Sequence, residues 1–185
     1  LVIADAVLAD LGVTARLADA LQAEGMAHDV AAVVSGEPNV AMVEGLCDRA
    51  RACGARAVIA LGGGAAMDAA KLVAVLAPSG RSVMEFALAR APLPTDGLPA
   101  IAIPTTAGTG SEVTGVSVVS DMEGRKTWVW GGELMFAQAV LDPELTLSLP
   151  PHLTAWTGSD AVAHALEGVT SRVTRPAGQM YGREA

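Results

Sequence analysis

Near the end of the chain two residues have the types and spacing for metal chemistry. In TGSDAVAHALEG (157–168), Asp160 and His164 stand four positions apart in an Ala-rich stretch that reads as a helix. At that spacing both side chains project from one helical face. A carboxylate oxygen and an imidazole nitrogen suit a divalent ion such as Fe2+ or Zn2+, although a simple hydrogen-bonded couple is the plainer use of such a pair. A catalytic ion needs about three or four ligands, so others must come from Glu167, at i+7 on the same face, or from outside the chain. His28 and His152 have no evident route to this face. With so many small residues, the helix is expected to be buried.

A second chemistry is written in VIALGGGAAMDAAK (58–71), where Gly62, Gly63 and Gly64 fall between a strand-like run and a helix. Glycines at such a corner let backbone approach a ligand, and the helix start presents free N–H groups and its positive dipole end, together suited to phosphate. The run matches neither G-x-G-x-x-G, since Met67 stands where the third glycine belongs, nor a P-loop, since Lys71 is misplaced for one. Asp68, in the first turn, reads as a complement to the helix dipole. A further loop, IAIPTTAGTGSEVT (101–114), presents Thr105, Thr106, Thr109 and Ser111 after another buried strand. Two such loops at strand carboxyl ends suggest one dinucleotide in the crevice where open parallel sheets bind ligands.

The elements that must position these groups alternate. LVIAD (1–5) reads as a strand, followed by a helix to about Gly25 with Thr14 as N-cap after Gly12. DVAAVV (29–34) is a strand ending in the turn SGEPN; Asn39 caps helix 40–53, and Gly54 closes it. ARAVIAL (55–61) is a strand, followed by a helix over 65–76 that ends at Pro78. AIAI (100–103) is another strand; TGVSVVSD and KTWVW form a hairpin through MEGR, and AQAVLD (137–142) is a short strand. From Thr154 onward the chain reads as helix. Strands separated by helices predict βαβ units and a mostly parallel, Rossmann-like α/β domain. A boundary is expected near residue 150, with a dinucleotide-binding α/β domain over 1–150 and the start of a helical metal and substrate domain over 151–185.

Composition narrows the partners. Of 185 residues 51% are hydrophobic and only 3% aromatic, and the net charge is −8 with no Lys/Arg cluster. Nucleic acid and anionic membrane are therefore not expected as partners. No apolar run reaches the roughly 20 residues of a membrane span, so a soluble, cytoplasmic protein is expected. Cys47 and Cys53 fit neither a redox motif nor a zinc knuckle and read as reduced core thiols. The chain opens inside a strand-like run and stops inside a helical one, as a piece of a longer protein would.

GGGAAMDAAK, PTTAGTGSEVT, LDPELTLSLPPHLTAWTGSDAVAHALEG and, more loosely, EPN resemble the iron-containing (group III) alcohol dehydrogenases, which share the dehydroquinate synthase-like fold. The resemblance covers essentially the whole chain. It implies an N-terminal dinucleotide-binding domain, an all-helical C-terminal domain, and a cleft between them for metal and substrate. It also implies that Gly62, Gly63 and Gly64 receive a pyrophosphate, that Thr105, Thr106 and Thr109 contact the cofactor, that Lys126 reaches its ribose, and that Asn39 lies nearby. Asp5 matches an acidic residue beside the adenosine ribose, where a carboxylate favours NAD over NADP. Asp160 and His164 match two of four metal ligands, and the other two, histidines on later helices, fall beyond residue 185. Ala65 stands where the family commonly has Ser. The resemblance implies NAD-linked, metal-dependent oxidation of a small alcohol or reduction of an aldehyde, with Fe2+ or Zn2+ as the ion and a homodimer as an open possibility. No general acid or base stands out. A dehydroquinate synthase-type lyase stays open, though basic residues for its phosphate-bearing substrate are scarce. A non-catalytic nucleotide-binding fragment stays open for a chain that stops at residue 185.

Overall fold

The structure, a computed structural model, describes residues 1–33 and 36–184. Val34, the end of one expected strand, and Ser35, the start of the expected turn, lie outside the described residues.

Among the described residues seven strands form, five of them in one parallel sheet: β1 (Val2–Asp5), β2 (Val30–Val33), β3 (Val58–Gly62), β4 (Ala100–Pro104) and the two-residue β7 (Gln138–Ala139), in the order β2-β1-β3-β4-β7. The remaining two, β5 (Val116–Ser120) and β6 (Lys126–Trp130), pair antiparallel as the expected hairpin. The helices are α1 (Val7–Asp10), α2 (Val13–Ala23), α3 (Val40–Ala52), α4 (Gly64–Leu76), α5 (Pro151–Thr170) and α6 (Pro176–Glu184).

Side-chain alternation along the strands divides the interior into two layers. Ile3, Val58, Ala60, Ala100 and Ala102 face one side, where α3, α4 and the hairpin build the larger core. Val2, Ala4 and Leu61 face the other, against Leu8, Leu17 and Leu21 of α1 and α2. Helix α4 lies between sheet and hairpin, with Ala66, Met67 and every residue from Ala69 to Leu76 buried. A helix enclosed on all sides needs no polar face, and its alanines let the flanking layers come close. Truncating Leu72, fully buried there, to alanine costs about 2–5 kcal/mol.

Several local expectations are met for the reasons given. Asn39 Oδ1 accepts from Met42 N at 2.8 Å and starts α3, while Gly54, at φ +62°, follows its end. The hairpin buries Ser117, Val119, Thr127 and Val129 against α4 and the core, leaving Trp128 and Trp130 exposed.

Other expectations are corrected. Thr14 does not cap α2: Gly12, at φ +70°, occupies the cap, and Thr14 Oγ1 is buried without a hydrogen-bond partner. The single helix expected there is two, because the chain turns at Leu11–Gly12. The strand expected over 137–142 pairs with β4 only through Gln138 and Ala139. Cys47 is buried but Cys53 is exposed, so only one is a core thiol. No described residue of α5 is buried, and Trp156, Val162 and Leu166 are exposed on it. Within this chain the helix packs against α6 and against the loop at Gly108.

Candidate functional site

Chain order fixes where a ligand can enter. From β1 the chain passes to β2 on one side, then to β3 on the other, so the direction of winding reverses between β1 and β3. At such a reversal the connections leave in opposite directions and open a crevice at the strands' carboxyl ends. The last residues of β1 and β3 are Asp5 and Gly62, which places two of the expected site residues at the reversal.

The two loops do converge. Asp5 Oδ2 accepts from Gly63 N at 2.7 Å, and Thr105 N donates to Gly62 O at 2.9 Å. Burial pushes the Asp5 carboxyl above its ordinary 3.8, and the Gly63 N–H pulls it partly back. Gly62 has φ +149°, and a methyl on it would lie 2.5 Å from Asp5 Oδ2 and 2.9 Å from Ala66 Cβ. Only glycine fits there. A methyl on Gly63 would sit 3.3 Å from Thr106 Cγ2, and one on Gly64 would sit 3.1 Å from Thr109 Cγ2. Thr106 and Thr109 therefore rest directly on the glycine corner, and Thr105 is buried beneath them.

One cleft of about 740 Å3 joins this corner to the closing helices: Gly64, Thr109, Lys126, Asp160 and His164 all line it. Segment 36–38 forms part of its wall, held to the hairpin where Ser120 N donates to Pro38 O at 2.9 Å and Ser120 Oγ to Glu37 Oε1 at 3.0 Å. Lys126 is exposed, with Nζ 2.7 Å from Glu37 Oε2. Asn39 spends its side-chain oxygen on the helix cap.

His164 Nε2 and Asp160 Oδ1 are 3.7 Å apart, both half-exposed. That separation is too long for a hydrogen bond and leaves both donors turned to the same space. Thr157, three residues before Asp160 and on the same face, carries the contact that docks α5 on the loop. A methyl on Gly108 would overlap the Thr157 carbonyl oxygen, so the two backbones touch. Glu167 does not line this cleft: it shares an adjoining depression with His164, Gly168 and Ser171, and among the described residues no group of three or more His, Cys, Asp or Glu could hold an ion. His152 instead packs edge-on against Trp156.

The sequence reading missed a polar cluster in the wall of the cleft, where Asp68, Ser111 and Thr114 line it and Lys71 lies buried behind them. Lys71 Nζ donates to Ser111 Oγ, Thr114 Oγ1 and Val116 O, and Asp68 accepts from Ser111 Oγ and Val118 N. Asp68 is therefore bonded to the loop and hairpin rather than acting only on the helix dipole. The available signal was a charged pair at i and i+3 inside an otherwise apolar helix.

Comparison with known proteins places the chain in a family. The model of the iron-containing alcohol dehydrogenase family matches residues 1–143. The chain is 40% identical over 179 residues to the sulfoacetaldehyde reductase of Bilophila wadsworthia, covering 95% of this chain and 45% of that protein. It is 42% identical over 173 residues to long-chain-alcohol dehydrogenase 1 of Geobacillus thermodenitrificans, covering 92% and 44%. The crystal structure of sulfoacetaldehyde reductase from Bifidobacterium kashiwanohense in complex with NAD+ superposes with a TM-score of 0.89 at 36% identity, over 95% of this chain and 46% of that one. The chain thus spans about half the length of the relatives it matches. On the family match and these relatives, the chain belongs to the iron-containing alcohol dehydrogenase family.

Proposed function

We propose that this chain is the dinucleotide-binding part of a metal-dependent, NAD-linked dehydrogenase acting on a small alcohol or aldehyde. The observation that carries the reading is the shared cleft, in which Gly64 and Thr109 lie with Asp160 and His164. The glycine corner fits a pyrophosphate because Gly62 admits no side chain, Gly63 and Gly64 have little room for one, and α4 starts at Gly64. Thr105, Thr106 and Thr109 would support and contact the cofactor, and Lys126 at the cleft mouth would reach its ribose. Asn39 would act on it only indirectly, by holding the start of α3. Asp5 would accept from a free ribose 2′-hydroxyl and repel a 2′-phosphate, favouring NAD over NADP; the NAD+ complex of the Bifidobacterium relative supports that choice.

Asp160 and His164 fit an ion of the Fe2+ or Zn2+ kind by their donor atoms, as two members of a larger set whose remaining ligands lie outside this chain. The ion would supply Lewis acidity and the nicotinamide would accept or return the hydride. What the residues described here contribute is placement. The corner and threonine loop fix the dinucleotide, and the Gly108–Thr157 contact sets the ligand pair against it, so that the reacting groups meet without searching for orientation. A boundary near residue 150 separates these tasks, since β7 is the last strand among the described residues. No described helix is long and apolar enough to cross a membrane.

The test is reduction of NAD with short-chain alcohols by metal-stripped full-length protein, before and after adding Fe2+ or Zn2+. Activity is expected only with the ion; equal rates without it would reject the metal's role.

A further inference from the structure

Lys71 is a charge with no access to water: 1% of the residue is exposed. Its ammonium lies 2.8 Å from Ser111 Oγ, 3.2 Å from Thr114 Oγ1, 2.7 Å from Val116 O and 3.6 Å from Asp68 Oδ1. Ser111 Oγ accepts from Lys71 and donates to Asp68 Oδ1 at 2.6 Å, so one hydroxyl joins both charges. The other Asp68 oxygen accepts from Val118 N at 2.9 Å, and Ser117 Oγ donates to the Asp68 carbonyl at 3.0 Å. One turn of α4 thereby holds both the end of the threonine loop and the first strand of the hairpin.

Stability alone does not account for this choice. Burial pushes the Lys71 ammonium down and the Asp68 carboxyl up, and each charge offsets the cost of the other. Well-packed apolar residues in place of a buried ion pair are often neutral or stabilising. What an apolar pair cannot supply is direction: five hydrogen bonds from two side chains fix the loop and hairpin in register with α4. The register reaches the glycine corner in one further bond, because Ser111 N donates to Thr109 Oγ1 at 3.2 Å and Thr109 rests on Gly64.

We propose that Lys71 and Asp68 are positioning residues of the dinucleotide site, acting through the Ser111 hydroxyl to set Thr109 opposite Gly64. The inference rests on the reading of the cleft as a dinucleotide site. It assigns Lys71 no contact with cofactor or substrate; Asp68 and Ser111 border the cleft themselves, and loop exchange separates their positioning role from direct contact.

Ser111→Ala in the full-length protein removes the shared hydroxyl and little volume. Calorimetric titration with NAD+ and amide hydrogen exchange are measured on the same sample. NAD+ binding is expected to weaken about tenfold, equivalent to about 1.4 kcal/mol. Amides of residues 105–114 are expected to exchange faster while those of β1, β3 and β4 do not change. Lys71→Met is expected to act in the same direction and more strongly; Ser111→Ala carries the test if that variant does not fold. NAD+ affinity within twofold of the unsubstituted protein, or weaker binding with loop exchange unchanged, would overturn the proposal. An unsubstituted protein that binds no NAD+ would instead overturn the cofactor reading, and this inference with it.

Discussion

Replacing Gly62 with alanine should damage both stability and cofactor binding, and the size of the effect follows from the structure. At φ +149° a side chain is strained, and such backbone conformations cost about 1–3 kcal/mol. The new methyl would also lie 2.5 Å from Asp5 Oδ2, 2.7 Å from Asp5 Cγ and 2.9 Å from Ala66 Cβ. The simplest relief is to rotate the Asp5 carboxylate away, which breaks its bond to Gly63 N, and a hydrogen bond to a charged group contributes about 1.5–3 kcal/mol. Because relaxation shares these costs, a loss of about 3–5 kcal/mol is expected. Urea unfolding read at constant slope measures it, and NAD titration of the folded fraction should show weaker binding. Gly45→Ala is the internal control: Gly45 lies within α3 with nothing within 4 Å of a new Cβ. There alanine should stabilise by about 0.5–1 kcal/mol. A Gly62→Ala protein within about 0.5 kcal/mol of its parent, outside the range expected for a strained site, would refute the account of the corner.

Asp5→Asn keeps an acceptor for Gly63 N but removes a carboxyl whose folded value lies above 3.8. The native state holds that proton more tightly than the unfolded chain, so Asp5's contribution falls as pH rises from about 3.8 through its raised value. The stability of Asp5→Asn relative to the parent should therefore grow across that window and then level off, and its preference for NAD over NADP should narrow; a difference constant with pH would refute the assignment. Under native conditions a thiol reagent should modify Cys53 quickly and Cys47 only after unfolding, since burial pushes the Cys47 thiol up to about 12; two fast thiols would contradict the packing of α3. Lys126→Met should weaken NAD binding yet lower stability by less than about 1 kcal/mol, because Lys126 stands in solvent even though its partner Glu37 is partly covered; unfolding curves and NAD titration separate the two effects.

Much of the layout was readable because local pattern and tertiary role agree. Strand alternation, the Asn39 cap, Gly54 and the glycine corner each express a requirement contained within a few residues. Thr14 misled for the opposite reason. A hydroxyl residue after glycine looks like a cap, but Gly12 took that place by bending the chain, a choice made by how α1 meets β1. How α5 docks was hidden because small residues serve a buried helix and a close backbone contact equally well, and the approach of Gly108 to Thr157 is visible only in three dimensions. Asp68 and Lys71 were visible as charges in an apolar helix, but their partners lie roughly forty or more residues away, beyond any local spacing rule. The convergence of Asp160 and His164 with the glycine corner followed from family resemblance rather than from spacing, since it depends on how α5 docks.

That docking has a mechanical consequence. Where Gly108 meets Thr157, the loop backbone lies directly against the Thr157 carbonyl and Cβ, with no long side chain of the loop residue to swing aside and absorb a displacement. Any shift of the threonine loop is passed on as a push on a stiff rod, and Asp160 and His164 are fastened to that rod one and two turns further along. Under the proposed function, this junction helps set the distance from dinucleotide to ion, and a side chain inserted at residue 108 would act as a wedge between the threonine loop and the helix that carries Asp160 and His164.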